Sequence, residues 1–271
     1  MGAGVPLVDV VLDVRHLTLR FAGLVAVSDL SLSVRAGELL GIIGPNGAGK
    51  TSVLNCINGF YRPQAGRIRF LDRDVTRLLP HTRAALGIAR TFQNIALYPH
   101  MTVLQNILSG RLVHMRSSLM GCGVYWGFGQ REVLRHRERV EEIVDFLEIE
   151  AYRDARVGEL PYGIQKKVEL GRALAMEPRL LLLDEPMAGM TVDEKLDMAR
   201  YILELREVRG LPMVLIEHDM GVVMDLCDRI LAMDYGRKIA EGPPEEIQNH
   251  PDVIRAYLGE EHGLAEEVAG R

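Results

Sequence analysis

Apolar and polar positions change period several times along the chain, and each change predicts an element. Val8, Val10, Leu12 and Val14 alternate with polar or small residues, and Leu30, Leu32 and Val34 repeat that period, so residues 7 to 34 read as strands. Leu39 to Ile43, Leu180 to Leu183 and Pro212 to Ile216 are short unbroken apolar runs, the pattern of strands buried on both faces. Arg67 to Leu71 and Ile88 to Asn94 add two strands, the second turning polar at its end. Ile230 to Met233 and Lys238 to Ala240 form a hairpin around Asp234-Tyr235-Gly236.

Helical periodicity covers Ser52 to Gly59, Thr76 to Leu86, Thr102 to Leu112, Arg131 to Leu147, Val192 to Val208 and Val222 to Cys227. In the Arg131 helix, Val133, Val140, Ile143, Val144 and Leu147 share one face, while its four arginines alternate with Glu132 and Glu138 as a solvated face. Leu160 opens another helix running to about Met176, with Pro161 at a first helical position and Glu177-Pro178 as its stop. Pro244 to Asn249 and Pro251 to Leu258 read as short surface helices. The glycine- and aromatic-rich stretch 121–129 reads as a loop or an inserted hairpin, and 259–271 as a frayed tail.

Composition narrows the class. With 271 residues, 48% hydrophobic and 25% charged, the chain suits one large α/β domain or a domain with a subdomain. A net charge of −5 gives no global reason to expect nucleic acid or an anionic membrane. Cys56, Cys122 and Cys227 are scattered and form no C-x-x-C pair, so a reducing compartment is expected and no zinc site. Asp9 and Asp13 stand where a secretory leader would be basic, and no run reaches the roughly 18 apolar residues that span a bilayer. Work at a membrane would need another chain to do the spanning.

The chemistry concentrates in Gly44-Pro45-Asn46-Gly47-Ala48-Gly49-Lys50-Thr51, which fits G-x-x-x-x-G-K-[ST] between an apolar run and a helix. Glycines let backbone N–H groups curl around phosphate oxygens, Lys50 meets the β- and γ-phosphates, and the Thr51 hydroxyl can ligate Mg²⁺. Gly44, Asn46, Gly47, Ala48, Gly49, Lys50, Thr51 and Ser52 are thus the expected nucleotide contacts. Four leucines deliver Asp184-Glu185 to the strand edge where α/β ligands sit, Asp184 for Mg²⁺ and Glu185 to polarise the attacking water. His218 ends the next buried strand, within reach of a γ-phosphate. Gln93 is either a contact to Mg²⁺ and the attacking water or a loop residue. Phe21 is either a stacking platform for a nucleotide base or a core aromatic.

Phe21, the 44–51 loop, Gln93, the 160–165 segment, Asp184-Glu185 and His218 occur in the order of the motifs of ATP-binding-cassette ATPases, and the resemblance runs over roughly residues 8 to 258. Within that family the chain is most similar to the ATP-binding subunit of branched-chain amino acid importers, through Asn55 to Tyr61, Ile216 to Met220, Asn249 to Gly259 and the extra segment at about 111–135. The resemblance implies a P-loop NTPase (RecA-like) α/β core with an antiparallel β portion and a helical subdomain at about 95–165, in a single domain over 7–258. It implies ATP and ADP as ligands with Mg²⁺ on Thr51, Gln93 and Asp184. It implies a sandwich dimer in which Pro161, Tyr162, Gly163 and Gln165 of one chain face ATP on another. The implied partners are a second ATPase subunit, identical or paralogous, membrane permease subunits at the cytoplasmic face, and indirectly a solute-binding protein.

Two positions depart from the family pattern. The common signature is L-S-G-G-Q, and the segment reads Leu160-Pro161-Tyr162-Gly163-Ile164-Gln165 here, so the serine's bond to the γ-phosphate is missing or replaced. One such charge-assisted bond is worth about 1.5–3 kcal/mol, with the Gly163 N–H and the helix N-terminus left as donors. Thr191 stands where an aspartate usually ends the loop after Asp184-Glu185. A lipid or lipopolysaccharide exporter ATPase and a soluble ABC protein of DNA repair or translation are the alternative readings.

Overall fold

Two apolar periods sort the strands into two sheets. In the computed structural model, which describes residues 10–93, 95–114 and 128–257, the alternating N-terminal segment forms β1 (Val10–Phe21) and β2 (Leu24–Arg35). The next elements are β3 (Leu39–Ile43), α1 (Lys50–Asn58), β4 (Ala65–Phe70), β5 (Arg73–Asp74), α2 (Pro80–Leu86) and β6 (Ile88–Arg90). Then come α3 (Val103–Ser109), α4 (Phe128–Phe146), α5 (Tyr162–Leu174), β7 (Leu180–Asp184) and α6 (Val192–Glu207). The described chain closes with β8 (Met213–Ile216), α7 (Met220–Leu226), β9 (Arg229–Asp234), β10 (Arg237–Gly242), α8 (Pro244–Gln248) and a helical stretch over 251–257.

Among the described residues, β2-β1-β4-β5 make an antiparallel sheet and β10-β9-β3-β8-β7-β6 a second sheet that is parallel from β9 to β6. The unbroken apolar runs are explained by burial on both faces. In β3, Leu40 and Ile42 join α1 and the antiparallel sheet in one core, while Leu39 and Ile43 face a second core with α5 and α6. In β7, Leu180 and Leu182 take the first core and Leu181 and Leu183 the second. The helices α3 and α4 pack into that second core through Val103, Ile107, Val140, Val144 and Leu147. Thr102 and Gln105 exchange hydrogen bonds as a capping box that starts α3.

Several boundaries differ from the sequence reading, and the strand expected over 88–94 ends at Arg90. The helix expected from Thr76 starts at Pro80, because the Thr76 hydroxyl is held by Asp74 and Ile68 in a turn and Pro80 suits the first helical position. Phe128 and Gly129 belong to α4 rather than to a loop. Pro161 has extended geometry, φ −54 and ψ 149, and precedes α5 instead of occupying its first position. Residues 115–127, Asn94, Val8 and the tail after 257 lie outside the described residues, and with them the expected loop or hairpin at 121–127.

The parallel topology places the chemistry. The 44–49 loop leaves β3, Gln93 follows β6, Glu185 follows β7, and Glu217-His218 follow β8, all at the carboxyl edge of one sheet.

Candidate nucleotide site

The loop after β3 wraps into the N-terminus of α1. Gly49 caps that helix with φ 97, a left-handed conformation that also leaves no room for a Cβ against the Ala26 carbonyl. The first turn of α1 carries no acidic side chain, so its positive end is open to an anion. Lys50 is 6% exposed, and its ammonium donates to the Gly44 carbonyl at 2.6 Å and the Pro45 carbonyl at 2.9 Å. The Gly44 N–H donates to the Tyr257 hydroxyl at 2.9 Å, which ties the 251–257 helix to the start of the loop.

An open cavity of about 430 Å³ lies over this loop, lined by Phe21, Asn46, Gly47, Gly49, Lys50, Thr51, Ser52, Gln93, Glu185, His218 and Tyr235 among others. Its two ends differ in chemistry. At the aromatic end Phe21 is 41% exposed, so it is not the core residue of the alternative reading, and Tyr61 meets its ring edge-on at 4.9 Å. Tyr235, on the β9–β10 turn, is 87% exposed beside it.

At the polar end Glu185 is 7% exposed and held from two sides. Gln93 Nε2 donates to its Oε2 at 2.9 Å, and His218 Nε2 lies 2.5 Å from its Oε1. The Glu185 backbone has φ 50, left-handed for a residue that is not glycine, and its N–H donates to Ile216 O. Asp184, fully buried, sits 3.5 Å from the Thr51 hydroxyl and forms an ion pair with Arg90 at 2.6 Å. Arg90 also donates to Asn55 Oδ1, which fastens β6, β7 and α1 together at the site.

Behind this edge, burial pushes the Glu217 carboxyl up, against the lowering effect of the N–H groups of Met187 and His218 that it accepts. Glu217 therefore fixes the backbone of His218 to the loop that follows Glu185.

The structure brings Phe21, Asn46, Gly47, Gly49, Lys50, Thr51, Ser52, Gln93, Glu185 and His218 to the cavity, with Gly44 bonded to Lys50, Ala48 within the same loop and Asp184 beside Thr51. It does not bring Pro161, Tyr162, Gly163 or Gln165 to that cavity. Those residues start α5 elsewhere: Pro161 is exposed, Tyr162 is 44% exposed, and Gly163 is pressed against the Glu194 carboxylate with no room for a Cβ. Gln165 spends its side-chain donor on the Leu160 carbonyl at 2.8 Å. Thr191 caps α6 in a capping box with Glu194, which gives its hydroxyl a structural task in place of a carboxylate. The sequence reading passed over Arg90, Asn55 and Tyr235 as site residues; a cation at the polar end of a strand, three residues before Gln93, was the available signal for Arg90.

Comparison with known proteins agrees with this geometry. A family model described as ABC transporter matches residues 27–188, and one described as branched-chain amino acid ATP-binding cassette transporter matches residues 237–263. The high-affinity branched-chain amino acid transport ATP-binding protein BraF of Pseudomonas aeruginosa is 39% identical over 254 residues, 92% of this chain and 98% of the relative. The corresponding protein LivG of Salmonella typhimurium is 39% identical over 92% of this chain and 98% of its own length. A crystal structure of a nucleotide-free ATP-binding cassette from an ABC transporter superposes with a TM-score of 0.80 at 34% identity, covering 92% of this chain and 98% of that one. A nucleotide cradle at one sheet edge and relatives matched over nearly their whole length lead to one conclusion: the chain belongs to the ABC transporter family, as an ATPase.

Proposed function

We propose that the chain is the ATPase subunit that powers import of branched-chain or similar hydrophobic amino acids through a separate permease. The observation that carries the chemistry is Glu185, buried between Gln93 and His218 at the phosphate end of the cavity. The solute class rests on the relatives and on the match of the 237–263 tail.

In this reading Phe21 and Tyr235 hold the base, and the 46–51 amides and the α1 N-terminus cradle the phosphates. Lys50, already desolvated on two backbone carbonyls, turns from them to the β- and γ-phosphates. Thr51, Asp184 and Gln93 offer a hydroxyl, a carboxylate and an amide, hard oxygen donors that suit a Mg²⁺ ion keeping several waters. When bound, that ion supplies neutralisation of charge developing on the phosphates. Glu185 accepts the proton of the attacking water, Gln93 orients that water, and His218 steadies the γ-phosphate side. Pro161, Tyr162, Gly163 and Gln165 face the ATP of a second ATPase subunit, so each site is completed across a dimer.

The cassette spans residues 7–258 with a helical subdomain at about 95–165. A groove of about 470 Å³ beside the Gln93 loop, lined by Phe60, Phe92, Tyr98 and Leu112 among others, is where a permease segment docks. The chain works peripherally, on the cytoplasmic face beside membrane-spanning permease subunits; among the described residues no helix is long and apolar enough to cross a membrane. A solute-binding protein acts only indirectly, and nucleic acid has no place in the cycle.

The test is co-purification with membrane partners, reconstitution in vesicles and measurement of ATP-driven uptake of Leu, Ile and Val. Uptake that needs ATP supports the reading. Hydrolysis in the complex with no uptake of any of the three overturns the solute class.

A further inference from the structure

Gln93 sits on a loop, and loops place side chains poorly unless something holds them. Here the holder is one face of α5. Three charged side chains at three-residue spacing, Lys166, Glu169 and Arg172, all reach the backbone of Phe92, Gln93 or Ala96. Lys166 Nζ donates to Gln93 O at 3.1 Å. Glu169 accepts from the Phe92 N–H at 3.2 Å and from the Ala96 N–H as well. Arg172 donates to the Ala96 carbonyl.

Burial makes this grip costly and therefore informative. The side chains of Lys166 and Glu169 are 1% and 2% exposed, yet their charged atoms lie 3.7 Å apart, beyond hydrogen-bond distance. A pair kept for mutual attraction would close that gap. These two are turned to the loop instead, the cation to a carbonyl and the anion to two N–H groups. Burial raises the Glu169 carboxyl, opposed by the Lys166 charge and the Phe92 and Ala96 N–H groups. The same Lys166 lies 5.8 Å from the centroid of the Tyr162 ring, in the exposed turn that begins α5. At the far end, Gln93 Nε2 bonds the Glu185 carboxylate.

We propose that Lys166, Glu169 and Arg172 are positioning residues for ATP hydrolysis, which lock the Gln93 loop onto α5 so that Gln93 meets Glu185. Wherever α5 moves, the backbone of Phe92, Gln93 and Ala96 moves with it, and the partner-facing turn at 160–165 becomes rigidly continuous with a side chain at the reacting water. The proposal rests on the role given to Gln93 above.

The experiment removes the grip without leaving a lone buried charge. Lys166→Met with Glu169→Leu keeps volume and deletes both charges. The full chain, shown folded by an unchanged thermal transition, should keep its KM for ATP within about twofold while kcat falls about 10- to 100-fold, because the cradle is intact and the aim of Gln93 is lost. Lys166→Arg with Glu169 kept, which retains a donor for the Gln93 carbonyl, should restore most of kcat. Gln93→Ala runs beside them. If Gln93→Ala lowers kcat and the folded double variant does not, the proposal fails while the reading of Gln93 stands. If Gln93→Ala leaves kcat unchanged, Gln93 is not the group being aimed, and both fall. Should the double variant lose its thermal transition, the Lys166→Arg variant and Lys166→Met alone decide the matter: equal kcat in those two overturns the proposal.

Discussion

In the proposed cycle the mouth of the 44–51 loop and the turn at 160–165 serve one chemistry, but they are built oppositely. At the loop every charge is answered within the chain: Lys50 by two carbonyls, Asp184 by Arg90, Glu185 by Gln93 and His218. At the turn the chain leaves Pro161 and Tyr162 open to solvent and backs Gly163 with Glu194. One region is a finished half-site, stable before any ligand arrives. The other is, in the proposed dimer, a surface that serves a second ATPase subunit. The residues proposed to act within the chain are anchored by several bonds in advance, whereas Pro161 and Tyr162, proposed to act across the interface, are left exposed.

Glu185→Gln breaks the finished side most sharply. The amide keeps the shape but cannot take the water's proton, so turnover should fall about 10²- to 10⁴-fold with ATP still bound. Mg-ATP should then hold two cassettes together as a dimer in gel filtration, and Mg-ADP should not; if the second ATPase is a paralogue, the dimer forms only when that chain is added. Undiminished hydrolysis would remove Glu185 from the role of base.

Lys50→Ala comes next. It deletes a buried cation whose charge-assisted bonds, in the proposed mechanism, pass from two carbonyls to phosphate, so ATP affinity by titration should weaken about 10- to 100-fold with the fold retained. Wild-type affinity in a folded variant would show that Lys50 stays on its carbonyls with ATP present.

The bare side should respond least. Pro161→Ser offers a hydroxyl to the other chain's phosphate, and turnover at saturating ATP should rise, by less than about tenfold. A clear loss would show that Pro161, with the extended geometry it imposes ahead of α5, is fitted to this interface as it stands.

Sequence made the finished side legible because its signals are local. Gly44 to Thr51 is one contiguous pattern, and Asp184-Glu185 follows a buried run. The partners that anchor those residues were not legible, because they come from far along the chain. Arg90 meets Asp184 across 94 residues, and Tyr257 meets Gly44 across 213. No periodicity encodes such pairs; the parallel sheet creates the first by setting β6 beside β7, and the packing of the 251–257 helix against the loop creates the second. The start of α2 was misplaced for a local reason, since the Asp74–Thr76 turn competes with helix for the same backbone. The Gln93 grip was hidden inside α5, where Lys166 and Glu169 look like ordinary helix-surface charges and are in fact buried.

The left-handed backbone of Glu185 carries one more consequence. A side chain other than glycine in that conformation costs on the order of 1–3 kcal/mol. Selection for durability alone would therefore drift this position toward glycine or asparagine, and each such step would make a sturdier protein that no longer turns over. In the proposed mechanism the residue on which turnover depends sits in a backbone conformation that costs stability, so hydrolysis and durability pull this position in opposite directions.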